Sequence, residues 1–307
     1  MTTTHASALR SNPLSAADVA SFADQGYLVV RNLFTEADLQ PVRDELTQAI
    51  DRHARELQAA GTLSDLHAEA PFATRFGLLM AQTPAIQDGF DVAQLRGPAL
   101  WRFLHTARLL DAVAALIGDE ISLNPIAHVR AKPPQHQTAD GVKGYFSVPW
   151  HQDSGVILPE ADASEILTVW LPLLDATTEM GCLQVIPGGH RHGHLPHIAA
   201  PGYGTSIKPS AMPPTRAVPV PIMRGDAIIM HRHCPHHSTP NRSAGCRWSL
   251  DLRFQRTGDH SGRPWQPVLP LRSGGRDIDV GHATWDQAWA TCLANGGGRI
   301  VHRTEAS

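Results

Sequence analysis

An excess of charge of either sign is absent from this 307-residue chain: 26 Lys and Arg stand against 29 Asp and Glu, a formal net charge of −3. No basic run disturbs that balance, so the electrostatic footprint of a nucleic-acid-binding protein is missing. Cysteine is scarce too. Cys182, Cys234, Cys246 and Cys292 are widely spaced and form no CxxC pair, a pattern of reduced thiols rather than of a disulfide framework. The first residues, MTTTHASALRSNPLSAADV, are polar and hold no apolar core of signal-peptide length. Nor does any stretch reach the roughly 18 apolar residues of a membrane span. The expectation is a cytoplasmic protein without a nucleic-acid or membrane partner; oligomeric state is not legible.

What is present is ordinary core-forming material, 42% hydrophobic with 18% charged residues, punctuated by 25 Gly and 24 Pro that call for many turns. A leader over 1–13 is expected to be disordered. Ser15 and Gly26 frame a short helix, YLVVRNLF reads as a strand, and Thr35 caps a longer helix that stops at Gly61. In that helix Leu39, Val42, Leu46 and Ile50 form one buried stripe. A further helix is expected near 104–117, ending at Gly118. From residue 121 short strands take over: ISLNPIAHVRAK, EILTVWLPLLD, GCLQVIPG, AVPVPIM, GDAIIMH and CRWSLDLRFQ. Helices followed by many short strands predict an α+β chain whose β part is a sandwich or barrel. The stretch 188–217 is too long for a simple connection and reads as a functional loop. After 257 only HATWDQAWATCLAN reads as helix.

The chemistry gathers at His151-Gln152-Asp153. In a strand alternate side chains share a face, so His151 and Asp153 can reach one metal while Gln152 points away, and Pro149 keeps the segment extended. Imidazole and carboxylate suit non-haem iron. The competing reading is a surface histidine and a turn-forming aspartate before Gly155. A third ligand is available from His231, His233, His236 and His237, in a segment that reads as two antiparallel strands around a turn at Pro240-Asn241. On its second strand Arg247, Ser249, Asp251 and Arg253 share one face, opposite Trp248, Leu250, Leu252 and Phe254. That charged face is either solvated exterior or a pocket in which Arg247 clamps a carboxylate.

WHQDSG, KPP at 132–134, GCLQVIPGGH and HHSTPNRSAGCR, together with the opening ADVASFADQGYLVVRNLFTEADL, resemble the phytanoyl-CoA dioxygenase family of Fe(II)- and 2-oxoglutarate-dependent oxygenases over roughly 15–256. The resemblance implies a double-stranded β-helix, a cupin-like jelly roll over about 121–256, with N-terminal helices on one side and a C-terminal extension, all in one domain from residue 14. It implies Fe(II) held by His151, Asp153 and His236, because only His236 has the serine (Ser238), asparagine (Asn241) and arginine (Arg247) of the family's register behind it. His237 is the nearest competitor. Arg247 and Ser238 would hold the distal carboxylate of 2-oxoglutarate, Trp170 would line its pocket unless it is simply a core aromatic, and His128 matches a further cosubstrate-contacting position unless it is a satisfied strand histidine. Met180-Gly181 stands where the family often has Asn-Gly, so that asparagine's support of the metal is not supplied here.

The implied reaction is oxidation of an unactivated C–H bond by O2 and 2-oxoglutarate, releasing succinate and CO2. Asp153 favours hydroxylation, desaturation or ring formation, because halogenating relatives lack that carboxylate. The family's substrates span acyl-CoA thioesters, amino acids, phosphonates and secondary metabolites. A specialised metabolite is the preferred small-molecule substrate here, the C-terminus being Glu305-Ala306-Ser307 rather than a peroxisomal signal. Lys132, Lys143, Arg130 and Arg253 either meet an anionic substrate or are solvated charges. Loop 188–217, with His190, His192, His194 and His197, is expected beside the active-site mouth rather than as a zinc site, with His190 near the substrate. That loop and the C-terminal segment with Trp265 and Trp285 are expected to shape the pocket. Three other classes fit the residues alone: a cupin-like hydrolase or isomerase with another metal, a non-catalytic ligand-binding jelly roll, and a purely structural or interaction protein.

Overall fold

The computed structural model describes residues 13–135, 148–202 and 204–305. The expected leader, apart from Pro13, and Lys143 lie outside the described residues. Helix α1 (Ala16–Gln25) is closed at both ends as its sequence predicts. Asp18 accepts from the Ser15 amide at 2.8 Å while Ser15 Oγ accepts from the Asp18 amide at 3.2 Å, and Gly26 turns out at φ +76°. Strand β1 (Tyr27–Val30) leads to α2 (Glu36–Ala59), where Asp38 accepts from both the amide and hydroxyl of Thr35 at 2.7 Å.

A helix α3 (Phe72–Gln82) follows that the residue pattern did not announce. The helix expected over 104–117 is two helices, α4 (Pro98–Leu104) and α5 (Ala107–Ile117). The break has a local cause: the His105 ring takes the Trp101 carbonyl at 2.8 Å, and Thr106 is extended and receives the first amides of α5. The next expected strand divides likewise into β2 (Ile121–Leu123) and β3 (His128–Lys132). Between them Pro125 offers no donor and Asn124 accepts from the Ile126 amide.

The remaining strands are β4 (Ile166–Pro172), β5 (Leu183–Val185), β6 (His197–Ala200), β7 (Gly204–Ile207), β8 (Val218–Val220), β9 (Ala227–His231), β10 (His236–Ser238), β11 (Arg247–Arg256), β12 (Leu269–Ser273) and β13 (Arg276–Asp277), before α6 (His282–Ala294). The large antiparallel sheet runs β1-β9-β4-β11-β2-β12-β13, with β3 also on β11, and a smaller sheet β10-β5-β8 faces it. This is the α+β jelly roll that the sequence predicts. The segment after 257 adds β12 to the large sheet beside β2.

One expectation is corrected. β10 and β11 are not a hairpin across Pro240-Asn241: β10 pairs with β5 and β11 with β4, β3 and β2. Asn241 is the reason. Its side-chain amide donates to Lys132 O and Gly245 O, both at 2.8 Å, so it pins the crossover between sheets instead of a two-residue turn.

Alternation along the strands separates two cores. Leu167, Val169 and Leu171 of β4 and Trp248, Leu250, Leu252 and Phe254 of β11 face outward, where they pack with Leu39, Val42, Leu46 and Ile50 of α2. Trp170, Ile228 and Met230 face inward toward Leu183, Val185 and Val220 of the small sheet. Trp248 is fully buried and stacks on Phe72 at 4.9 Å, with Phe76 edge-on at 5.1 Å. No helix among the described residues is long and apolar enough to cross a membrane. Trp248→Ala is expected to lower stability by about 3–5 kcal/mol in urea unfolding, since the helices have no other aromatic anchor of that size on β11.

Candidate active site and metal centre

Backbone pairing sets two histidines, distant in sequence, face to face. β10 places His236 opposite Val185 on one edge, and its other edge meets His151 in an isolated antiparallel bridge. Each of the two amides donates to the other residue's carbonyl at 3.0 Å, and the rings lie 4.2 Å apart. His151 Nδ1 lies 2.9 Å from Pro149 O and His236 Nδ1 3.0 Å from Cys234 O. A carbonyl only accepts, so each Nδ1 carries the proton and each Nε2 keeps its lone pair for a metal. Burial, and next the His236 ring, push the His151 pKa well below the ordinary histidine range, which leaves a neutral imidazole.

The extended backbone carries one residue further, through Gln152, before a 3-10 turn takes Asp153–Val156. That suffices to put Asp153 on the same side as His151. Asp153 is 2% exposed, with one carboxylate oxygen on Arg253 and the other on Thr168 Oγ1. Burial opposes its ionisation, but the Arg253 guanidinium and the Thr168 hydroxyl outweigh burial and hold the carboxyl below its usual range. One donor atom from each of His151, Asp153 and His236 lies within 4.8 Å of the other two, the one such group of three among the described residues. Two free Nε2 atoms and an ionised carboxylate are a donor set that fits Fe(II).

Gln152 does the positioning. Wholly buried, it donates from Nε2 to Gly193 O at 2.8 Å and His233 O at 2.7 Å, accepts from the Leu195 amide at 2.7 Å, and gives its own amide to His197 Nε2 at 3.2 Å. Loop 188–217 therefore braces the ligand-bearing segment from behind. Its described residues line neither the pocket over the metal group nor the larger cavity beside it, which corrects the expectation that it shapes the mouth. His190 is corrected with it, since its Nε2 lies against Ala23 O at 3.0 Å, at the end of α1. Among the other candidates, His237 turns to Gln184 Oε1 at 3.0 Å and lies tilted against the Trp150 ring, and His231 Nδ1 accepts from the His233 amide.

Arg247, 3% exposed, lies at the other end of the same pocket. Its Nη1 donates to Gly181 O at 3.0 Å, its Cζ stands 5.1 Å from the Trp170 ring centroid, and its Nε has no partner among the described residues. Gly181 has φ +75°, and a Cβ there would meet Thr239 O at 2.4 Å, so glycine is required at this turn. The Met180-Gly181 turn thus serves Arg247 through a carbonyl. Ser238 Oγ accepts from Lys132 Nζ at 2.9 Å. Burial, then Arg247, lowers the Lys132 pKa to about 6. The pocket lined by these residues has room for about 30 Å³, so a dicarboxylate enters only as lining side chains move.

The structure brings His151, Asp153, His236, Arg247, Ser238 and Trp170 into this one pocket, but not His128. The His128 ring bonds to Asp91 Oδ2 at 2.7 Å and lines the larger cavity. Lys132 and Arg253, expected as solvated or substrate-facing charges, are 2% and 4% exposed and engaged inside the barrel. Arg130 pairs with Asp251 at 3.1 Å. Arg253 had a signal: it shares the alternating face of Arg247. Gln152 had none, because its partners lie on a loop.

A model of the family described as phytanoyl-CoA dioxygenase matches residues 22–249. The chain belongs to the phytanoyl-CoA dioxygenase family. It is 26% identical over 252 residues to the 1-deoxypentalenic acid 11-beta-hydroxylase of Streptomyces arenae, with 78% of this chain and 84% of that one covered. To the peroxisomal phytanoyl-CoA dioxygenase of Bos taurus it is 23% identical over 260 residues, covering 81% and 71%. The fold is similar to that of the non-heme monooxygenase ThoJ in its nickel complex, with TM-score 0.57, 19% identity and 90% and 94% coverage. It is also similar to that of the epimerase SnoN with Fe3+, alpha ketoglutarate and nogalamycin RO, with TM-score 0.54, 20% identity and 86% and 95% coverage. This family member is an Fe(II)- and 2-oxoglutarate-dependent dioxygenase acting on a small organic molecule.

In equilibrium dialysis His236→Ala is expected to weaken Fe(II) binding by more than the roughly 10–100-fold that loss of an outer-shell partner costs. His237→Ala is expected to leave it near wild type. The reverse result moves the register by one residue.

Proposed function

We propose that His151, Asp153 and His236 hold the iron, that Arg247 and Ser238 receive the distal carboxylate of 2-oxoglutarate against Trp170, and that the enzyme hydroxylates a specialised metabolite. The single observation that carries this reading is the convergence of the three donor atoms within 4.8 Å, in the pocket that also contains Arg247. Bound there, iron with 2-oxoglutarate and O2 supplies oxidation of an unactivated C–H bond, with succinate and CO2 released.

The chain's own residues do the rest. The carbonyls of Pro149 and Cys234 fix the imidazole tautomers, and Arg253 with Thr168 holds Asp153 ionised and in place. Arg247 offers a donor with no partner, in a buried site where a carboxylate forms a strong charge-assisted bond. Lys132 stands behind Ser238 and gains charge as an anion arrives. Helices, both sheets and the C-terminal strand β12 are read as one oxygenase domain. The free thiols Cys182, Cys234, Cys246 and Cys292 support a reducing, cytoplasmic setting.

Specialised metabolism is favoured over acyl-CoA breakdown by the resemblance to the pentalenic acid hydroxylase over most of both chains. The experiment is succinate formation from 2-oxoglutarate with Fe(II) and ascorbate. Arg247→Ala is expected to raise the 2-oxoglutarate KM by about tenfold to a hundredfold, the loss of a hydrogen bond to a charged group, with Arg247→Lys an incomplete rescue. An unchanged KM removes Arg247 from the cosubstrate site.

A further inference from the structure

Beside the metal pocket lies a much larger cavity of about 450 Å³. It runs along β3, with Phe76 of α3, Phe90 and Trp289 of α6 on its apolar side. Here the C-terminal segment does shape a pocket, through Trp289 rather than Trp285, which is buried against Trp101 at 5.6 Å. Arg130 lines both spaces and is the wall that they share.

The polar end of the cavity holds a buried guanidinium that forms no ion pair among the described residues. Arg263 is 4% exposed, and among the described residues its guanidinium reaches only the Val156 carbonyl, at 3.4 and 3.3 Å. Among the described residues no carboxylate forms an ion pair with it. Asp91, which faces the same cavity, is engaged by His128 and the Val129 amide, and Asp88 is exposed. Burial, and next the repulsion of Arg253, lower the Arg263 pKa to about 10 against the longer-range attraction of Asp91. A buried guanidinium is unfavourable until an anion meets it. Close by, Gln266 gives Nε2 to Gly297 O at 2.9 Å, while its buried Oε1 has no partner among the described residues.

We propose that this cavity receives the substrate and that the substrate is an amphipathic carboxylic acid. Its carboxylate pairs with Arg263, and Gln266 Oε1 accepts from a hydroxyl or N–H beside it. Its apolar frame lies along Phe76, Phe90 and Trp289, and the carbon to be oxidised passes Arg130 to reach His151, Asp153 and His236. One forked guanidinium suits one carboxylate, and the volume suits a compact apolar body. The proposal rests on the oxygenase reading of the metal site.

The test uses adamantane-1-carboxylic acid and adamantan-1-ylmethanol, which differ in charge and little in shape. Each is titrated calorimetrically into anaerobic wild-type protein with Fe(II) and saturating 2-oxoglutarate, so that the cosubstrate site is already filled. The acid is expected to bind about tenfold or more tighter than the alcohol. Arg263→Gln is expected to abolish that preference and Arg263→Lys to keep part of it. An acid that binds no better than the alcohol in wild type overturns the proposal, and so does a preference that survives Arg263→Gln. Visible absorption of the Fe(II)–2-oxoglutarate complex, recorded on the same samples, shows whether each variant keeps its site. Its absence in wild type overturns the oxygenase reading itself; its presence without acid preference overturns this inference alone.

Discussion

Two backbone hydrogen bonds between His151 and His236 set the geometry on which the site depends. They tie the segment before the 3-10 turn to the edge of the small sheet, and in doing so oppose two imidazoles whose Nε2 atoms face one point. Neither residue lies in a long strand. The bridge is therefore held from outside: β5 fixes β10 on its far edge, and Gln152 fixes the other partner through Gly193, Leu195, His197 and His233. A buried amide with all its hydrogen-bonding groups satisfied is rigid, and rigidity at Gln152 becomes rigidity at the residues on either side of it.

Inside the barrel the charges follow a second constraint. The inward face of β11 carries Arg247, Ser249, Asp251 and Arg253, and each arginine has a different task. Arg253 holds Asp153, Arg247 stands over Trp170 with a donor to spare, and Arg130 of β3 takes Asp251. Burying such charges is unfavourable unless they are paired. Stability comes from the opposite face of the same strand, where Trp248, Leu250, Leu252 and Phe254 pack under the helices. One strand thus serves the core with its even-numbered residues and chemistry with its odd-numbered ones.

Much of this was legible in the residues because local rules carry it. Ser15 with Gly26 and Thr35 with Gly61 mark helix ends through caps, and strict alternation in RWSLDLRF marks a strand with two unlike faces. The convergence of His151, Asp153 and His236 was legible from spacing within a family register, as was the place of Arg247 in the same pocket. Legibility failed where partners are distant. Asn241 looks like a turn residue but anchors a crossover by reaching Lys132 O. Arg253 and Lys132 look like surface charges until the barrel closes around them. His128 matches a family position by number, but its bond to Asp91, on a connection with no pattern of its own, was not readable. The hairpin of β6 and β7 hides in a stretch rich in Gly and Pro, since a two-stranded ribbon of four residues a side leaves little periodicity to read.

The central claim is that the bridged histidines and Asp153 form the iron site. Anomalous scattering at the iron edge, from crystals soaked anaerobically with Fe(II), tests it most directly. The account predicts one peak, within bonding distance of His151 Nε2, an Asp153 carboxylate oxygen and His236 Nε2. A peak among His190, His231 and His233 instead, or none at the bridge, would contradict it.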